Sequence, residues 1–212
     1  MMIDWILSAC VGLGLAACCG FRIFVPLLVA ALGTKLGLIG TMPGYEFISS
    51  WPAIIGLSIA TAFELGAYYI PWLDNMLDTI AMPVAIVAGT FLSTSFIHIN
   101  DEMTRWAMSL MLGGGAAGIV QAGTSLLRLG SVTTTGGLAN PIVATGENAA
   151  SLGLSILTVL LPLFTFALIV CLLIFLVVRL LARRRLRFTQ VTPPKEPGNP
   201  LDQFPRNSNG RH

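Results

Sequence analysis

Residues 5–32 hold one charged side chain, Arg22, in a run built almost entirely from Leu, Ala, Val, Ile, Gly, Phe and Cys. A guanidinium cannot shed its proton. Inside an apolar segment it needs a buried carboxylate, a water-filled cavity or an anionic ligand beside it. Candidate partners in this chain are Glu64, Asp74, Asp78 and Glu147. Any fold must therefore bring an acid, or a polar cavity, to the middle of its first apolar segment.

A mean hydropathy of +0.81, with 55% hydrophobic and only 10% charged residues, is too apolar for an ordinary soluble domain. Four further stretches, 52–70, 75–97, 104–127 and 152–181, have the roughly 20 residues needed to cross about 30 Å of hydrocarbon. The expected architecture is an all-α, polytopic membrane helix bundle of about five transmembrane helices over residues 1–187. Residues 188–212 follow as a disordered cytoplasmic tail, marked by Pro193, Pro194, Pro197 and Pro200 among polar residues.

Arg179, Arg183, Arg184, Arg185 and Arg187 crowd the end of the last stretch. Such clusters mark the cytoplasmic side and also attract anionic lipid. Counting back through five spans places the N-terminus outside the inner cell membrane, the Lys35 loop inside, the Pro71 turn outside, the Asp101 to Arg105 turn inside and residues 133–147 outside. Lys35 and Arg105 agree with that count, and Arg128 dissents. The lack of Lys or Arg before Trp5 argues against a cleaved signal peptide. Cys10, Cys18, Cys19 and Cys171 all fall within expected spans without CxxC spacing, and read as small packing residues.

As one helix, residues 5–32 would be about 42 Å long, more than the hydrocarbon needs. Gly20 and Pro26 flank Arg22 and weaken the helix there. The run is either tilted and kinked or broken, and a break at that depth is tolerated where it is buried or lines a cavity. Glu64 precedes Pro71 by less than two helical turns. Asp74 and Asp78 share a helical face, where their repulsion invites a cation, a shared proton or a basic side chain; alternatively Asp74 caps the helix and Asp78 meets the aqueous rim. Ser109, Gly113 and Ala117 form one small-residue stripe, and Gly114, Gly118 and Ala122 the next, as suits close helix packing in lipid.

Residues 133–147 are too apolar for a plain linker and too rich in Gly and Pro for a span. Thr134, Thr135, Gly136, Gly137 and Asn140 could present hydroxyls and amides to an ion from a re-entrant loop, with Glu147 near the head of the fifth span. Equally, the hydroxyls could satisfy their own backbone. A faint echo between the Gly20–Pro26 and Gly136–Pro141 breaks is the kind of pairing seen in inverted-repeat transporters.

Taken together, the Gly-Phe-Arg-Ile-Phe-Val-Pro segment at residues 20–26, Glu64, the Pro-Trp-Leu-Asp-Asn-Met-Leu-Asp segment at 71–78, Pro83, the Thr-Thr-Gly-Gly-Leu-Ala-Asn-Pro segment at 134–141 and Glu147 resemble a prokaryotic membrane family catalogued as domain of unknown function 4126. The resemblance spans roughly residues 5–181. It implies a compact multi-span membrane protein and carries no settled activity.

Three functions compete. The first is a transporter or channel-like carrier whose site, in the outer half of the membrane, gathers Arg22, Glu64, Asp74, Asp78, the 133–140 segment and Glu147, with spare negative charge suited to a proton or metal cation. The second is an enzyme acting on lipid-linked phosphate, with Asp74 and Asp78 holding Mg²⁺ and Arg22 meeting the phosphate. Its weakness is the missing second acidic motif. The third is a scaffold or assembly factor in which buried charges fix helix register. Expected partners are membrane lipids, a small solute or ion and further copies of the chain. The sequence points to no nucleic acid and names no cofactor. His98 reads as an interfacial anchor.

Overall fold

The computed structural model describes residues 2–67, 70–136 and 138–189; within these, the side chains of residues 2, 71–75, 78, 180 and 182–189 lie outside the description. Residues 190–212 of the expected tail, Gly137 and the carboxylates of Asp74 and Asp78 thus fall outside the described residues, while residues 188 and 189 continue the last helix.

Every described element is helical. The helices are α1 (Met2–Cys18), α2 (Phe24–Lys35), α3 (Trp51–Ala67), α4 (Pro71–Phe96), α5 (Glu102–Ser109), α6 (Gly115–Thr135), α7 (Asn140–Leu160) and α8 (Pro162–Thr189), with a short 3₁₀ turn at Glu46–Ser49. A π turn at Leu110–Gly114 joins α5 to α6 into one rod, Glu102–Thr135. Asp101 caps that rod by accepting the Thr104 amide at 2.7 Å. These bonds to Thr104 hold the exposed Asp101 carboxyl below the usual carboxylate range. Among the described residues, four stretches are long and apolar enough to cross a membrane: Thr79–Phe96, Glu102–Thr135, Asn140–Leu160 and Pro162–Arg179.

The first apolar run does break. α1 stops at Cys18 and α2 starts at Phe24. Pro26 sits in the first turn of α2, where its missing N–H falls among donors that have no intrahelical acceptor anyway. α2 then returns toward the face from which α1 came, since Asp4, Ser8, Leu38, Gly40, Phe96 and Pro162 all line one cavity. Trp5 and His98 stack on that same face with ring centres 6.3 Å apart.

The α1–α2 return changes the alternation of loops. The Lys35 loop lies on the N-terminal face, and α3 to α7 follow with each connection on the opposite face from the one expected. The physical reason is that a helix break fixes where a helix stops without fixing where the chain goes next.

The last apolar stretch also differs from expectation. It is not one helix over 152–181. Pro162, unable to donate to the preceding turn, begins α8, while α7 extends back to Asn140 with Pro141 in its first turn.

The core is a close junction of α1, α4 and α6. Both small-residue stripes face inward there, with Gly113 against Ser93 and Gly89, and Gly114 and Gly118 against Ile86. A Cβ added at Gly113 would lie 2.6 Å from Ser93 Cβ and 2.7 Å from the Gly89 carbonyl oxygen. A second cluster sets Ile169 of α8 with Ala17, Cys18, Ala116 and Val120. Cys10, Cys18 and Cys19 are free thiols buried in the packing, whereas Cys171 is exposed.

Because Gly113 has no room for a side chain, Gly113→Val is expected to lower stability by about 1–3 kcal/mol through overpacking. Gly115→Val, whose added atoms meet open space, serves as the control. Thermal unfolding of the two purified variants in the same detergent separates these outcomes.

Candidate functional site: a buried arginine–glutamate–arginine cluster

Arg22 occupies the break between α1 and α2, and its side chain is fully buried. The break holds its place because Gly20 lets the chain touch the α6 backbone: a Cβ there would lie 2.5 Å from both the Ala117 carbonyl oxygen and Val120 Cβ. From this anchor the guanidinium reaches α7. Nε donates to Asn148 Oδ1, Nη2 donates to the Ala144 carbonyl oxygen at 3.2 Å, and Nη2 lies 3.2 Å from Glu147 Oε2.

Glu147 is itself buried and serves a second cation. Arg128 of α6 donates from Nε to Glu147 Oε1 at 3.2 Å and from Nη2 to Oε2. The pairing follows from the α6–α7 hairpin. Arg128 precedes the end of α6 at Thr135 by seven residues, and Glu147 follows the start of α7 at Asn140 by seven. Both therefore lie about 10 Å from the turn, at one level. One carboxylate thus joins three segments, the α1–α2 break, α6 and α7.

Glu64 plays another part than the one expected of it. Its carboxylate accepts the backbone N–H groups of Ile23 at 2.6 Å and Phe24 at 2.9 Å. An α3 side chain thus caps the start of α2, where donors lack partners and the helix dipole favours negative charge. With both acids ionised, Arg22, Arg128, Glu147 and Glu64 sum to zero charge. The spare negative charge expected around a single arginine is absent from this group, because Arg128 belongs to it.

The Thr/Gly segment turns out to be helix ends and a turn. Thr133 and Thr134 hydroxyls donate to the Gly130 carbonyl, and Thr135 donates to that of Ser131 while accepting the Ala139 amide at 3.2 Å. Gly136, at φ +63°, closes α6 in the left-handed conformation. The hydroxyls satisfy their own backbone, the second of the two uses open to them from the sequence, and residues 133–135 and 140–147 lie in helices. Asn140 begins α7, away from Arg22.

Of the residues singled out from the sequence, Arg22 and Glu147 come together and Glu64 lies beside them. Thr134, Thr135, Gly136 and Asn140 stay at the turn. Arg128 and Asn148 were missed. Arg128 had one signal, its misfit with the expected loop charges; Asn148 had none. Among the described residues no three His, Cys, Asp or Glu side chains gather as metal ligands.

A membrane bundle built around an internal ionic cluster is the class that fold and site define. The chain belongs to the family described as Domain of unknown function (DUF4126), whose model matches residues 9–183. No curated protein matches the chain, and no solved structure does.

Two substitutions distinguish the acids. Glu147→Ala strands two buried guanidinium groups and is expected to cost about 3–5 kcal/mol. Glu64→Ala takes the acceptor from two α2 amides and one negative charge from beside the cluster, at about 1–3 kcal/mol. Thermal or denaturant unfolding in detergent should rank Glu147→Ala as the more damaging; the reverse order would mean that the cap, rather than the ionic cluster, holds the fold.

Proposed function

We propose that the protein is a membrane carrier for an organic anion, moved together with a proton, with Arg22, Arg128 and Glu147 as its binding group. The observation that carries this reading is a single buried carboxylate shared by two buried guanidinium groups at a helix break. A charged site in hydrocarbon is costly unless it stays neutral overall. An added anion would upset that balance, and a proton on Glu147 would restore it. Protonated Glu147 would release the two arginines, which are then free to hold the substrate in its place.

The orientation we propose keeps the N-terminus outside the inner membrane and the C-terminus cytoplasmic. α8 runs from the N-terminal face past Ala17 and Val120 toward Gly123, which packs on Leu176, and Arg179, Arg183, Arg184, Arg185 and Arg187 follow in sequence. By the positive-inside rule, the face bearing the α6–α7 turn is cytoplasmic. The cluster then lies in the inner half of the bilayer, not the outer half anticipated from alternating spans.

A scaffold function is the second reading. It is favoured by the mutual satisfaction of the cluster, since buried ion networks also serve only to fix helix register. The Mg²⁺-dependent reading rests on Asp74 and Asp78, whose side chains are outside the described residues, and gains no added ligand.

Proteoliposomes holding the purified protein decide between these readings when challenged with labelled propionate under an imposed pH gradient. Wild type should take up the anion faster than protein-free vesicles, across which neutral propionic acid diffuses unaided. Arg22→Gln and Arg128→Gln should lower the rate by about tenfold or more, and Glu147→Gln should leave transport indifferent to pH. Equal uptake by protein-free vesicles and by all variants would leave the scaffold reading.

A further inference from the structure

Beside the ionic cluster, α2, α3 and α7 enclose a cavity of about 510 Å³ lined by Val25, Leu28, Leu32, Leu152 and Ile156 among other apolar side chains. Its polar side chains are Thr61, Thr145 and Asn148. All three lie toward the end nearest Arg22, and Leu36, Leu38 and Leu160 close the other end. Along α7 the distance from Asn148 to Leu160 is about 18 Å. The groove thus has a polar head and a long apolar body.

The head of the groove is joined to the cluster by one side chain. Asn148 lines the groove and also accepts the Arg22 Nε hydrogen bond. At the same end Thr61 is nine-tenths buried, and its hydroxyl finds no hydrogen-bond partner among the described residues. A buried polar atom in that condition calls for a partner from elsewhere.

Resting on the anion-carrier reading, we infer that the substrate is a long-chain alkyl carboxylate which enters sideways from the bilayer, its chain in the α2–α3–α7 groove and its carboxylate passing Thr61 and Asn148 to Arg22. Charge and shape both favour this occupant. The two guanidinium groups already hold a carboxylate, that of Glu147, so a substrate carboxylate exchanges like for like. One proton on Glu147 then balances one monoanionic head, and the cluster returns to neutrality. A head with two negative charges would leave it unbalanced. A neutral long-chain alcohol fits the groove equally well and has nothing to exchange with Glu147. Lateral entry spares the alkyl chain any passage through water, and it brings the head to a site whose side chains are sealed from the aqueous faces.

The test uses the full-length protein in nanodiscs and a palmitate analogue carrying a mid-chain diazirine. After irradiation, peptide mass spectrometry should place the label on α2 and α7 near Leu28, Leu152 or Ile156. Unlabelled palmitate should compete, and hexadecanol should not. Ala149 is exposed on the groove wall, so Ala149→Phe fills the groove without entering the core. Labelling should fall by about tenfold in that variant. Thr61→Val, nearly the same shape, should weaken competition by palmitate roughly fivefold.

Competition by hexadecanol equal to that by palmitate overturns the inference, because the groove would then hold only bilayer hydrocarbon. So does labelling that ignores both variants. If propionate flux persists in either of these cases, the anion carrier stands and the long-chain substrate falls. If wild type moves no propionate and no palmitate, both fall together.

Discussion

A cation that cannot be neutralised, placed where no water reaches, needs a negative partner, and Glu147 is that partner. Its Oε2 joins Arg22 at the α1–α2 break to Arg128 on α6 through a residue of α7. Helix association in lipid lacks the hydrophobic drive that positions elements in water, so polar contacts and close packing must choose the register. Here one carboxylate sets three registers together. A shift of α7 by a single turn would move Glu147 about 5.4 Å and leave both guanidinium groups facing hydrocarbon.

Arg22 can reach that partner only because small residues let the surrounding helices close up. Gly20 rests on the backbone of α6 at Ala117 and Gln121, and Gly113 lies against Ser93 and Gly89 of α4. These contacts fix the height of the break relative to α6. Glu64 then takes the amides that the break exposes. The irregular backbone is stable because each part of it has an assigned partner: Gly20 a helix to touch, Ile23 and Phe24 an acceptor, Pro26 no donor to satisfy. A strained or open loop at this depth would have no such accounting.

The legible part of this molecule was what depends on local composition. Apolar lengths revealed helices that can span, the stripes at Gly113 and Gly114 revealed the packing face, and a lone arginine pointed to the buried ionic cluster. What depended on direction was not legible. Nothing around Gly20 and Pro26 states that α2 turns back, so the order of the later loops relative to the N-terminus is not readable from a count of spans, and Arg128 stands out there as a charge misfit instead of a partner of Glu147. The Thr133 to Thr135 hydroxyls have two uses open to them, a ligand or their own helix, and residue type does not choose between the two. Glu64 could serve Arg22 or the amides beside it, a choice made by a few ångströms that spacing along the chain does not encode. Pro162, by contrast, carried a readable stop signal that the length of its apolar stretch obscured.

The packing on either side of the cluster bears on whether a carrier or a channel suits it better. A channel needs a continuous polar path past its ionic site. Below Glu147, toward the N-terminal face, α7 presents Ser151, Ser155 and Thr158, all fully buried. Thr158 meets Gly14 of α1 so closely that a Cβ on the glycine would lie 2.6 Å from its methyl carbon. Hydroxyls line that route and the backbone of α1 closes it. A structure sealed on this side, with an ionic group at its head and an apolar groove at its flank, would have to rearrange to work as the proposed carrier. On the carrier reading proposed above, the contacts that a proton on Glu147 would loosen are those to Arg22 at the α1–α2 break and to Arg128 on α6, so movement would begin where α7 meets these two segments.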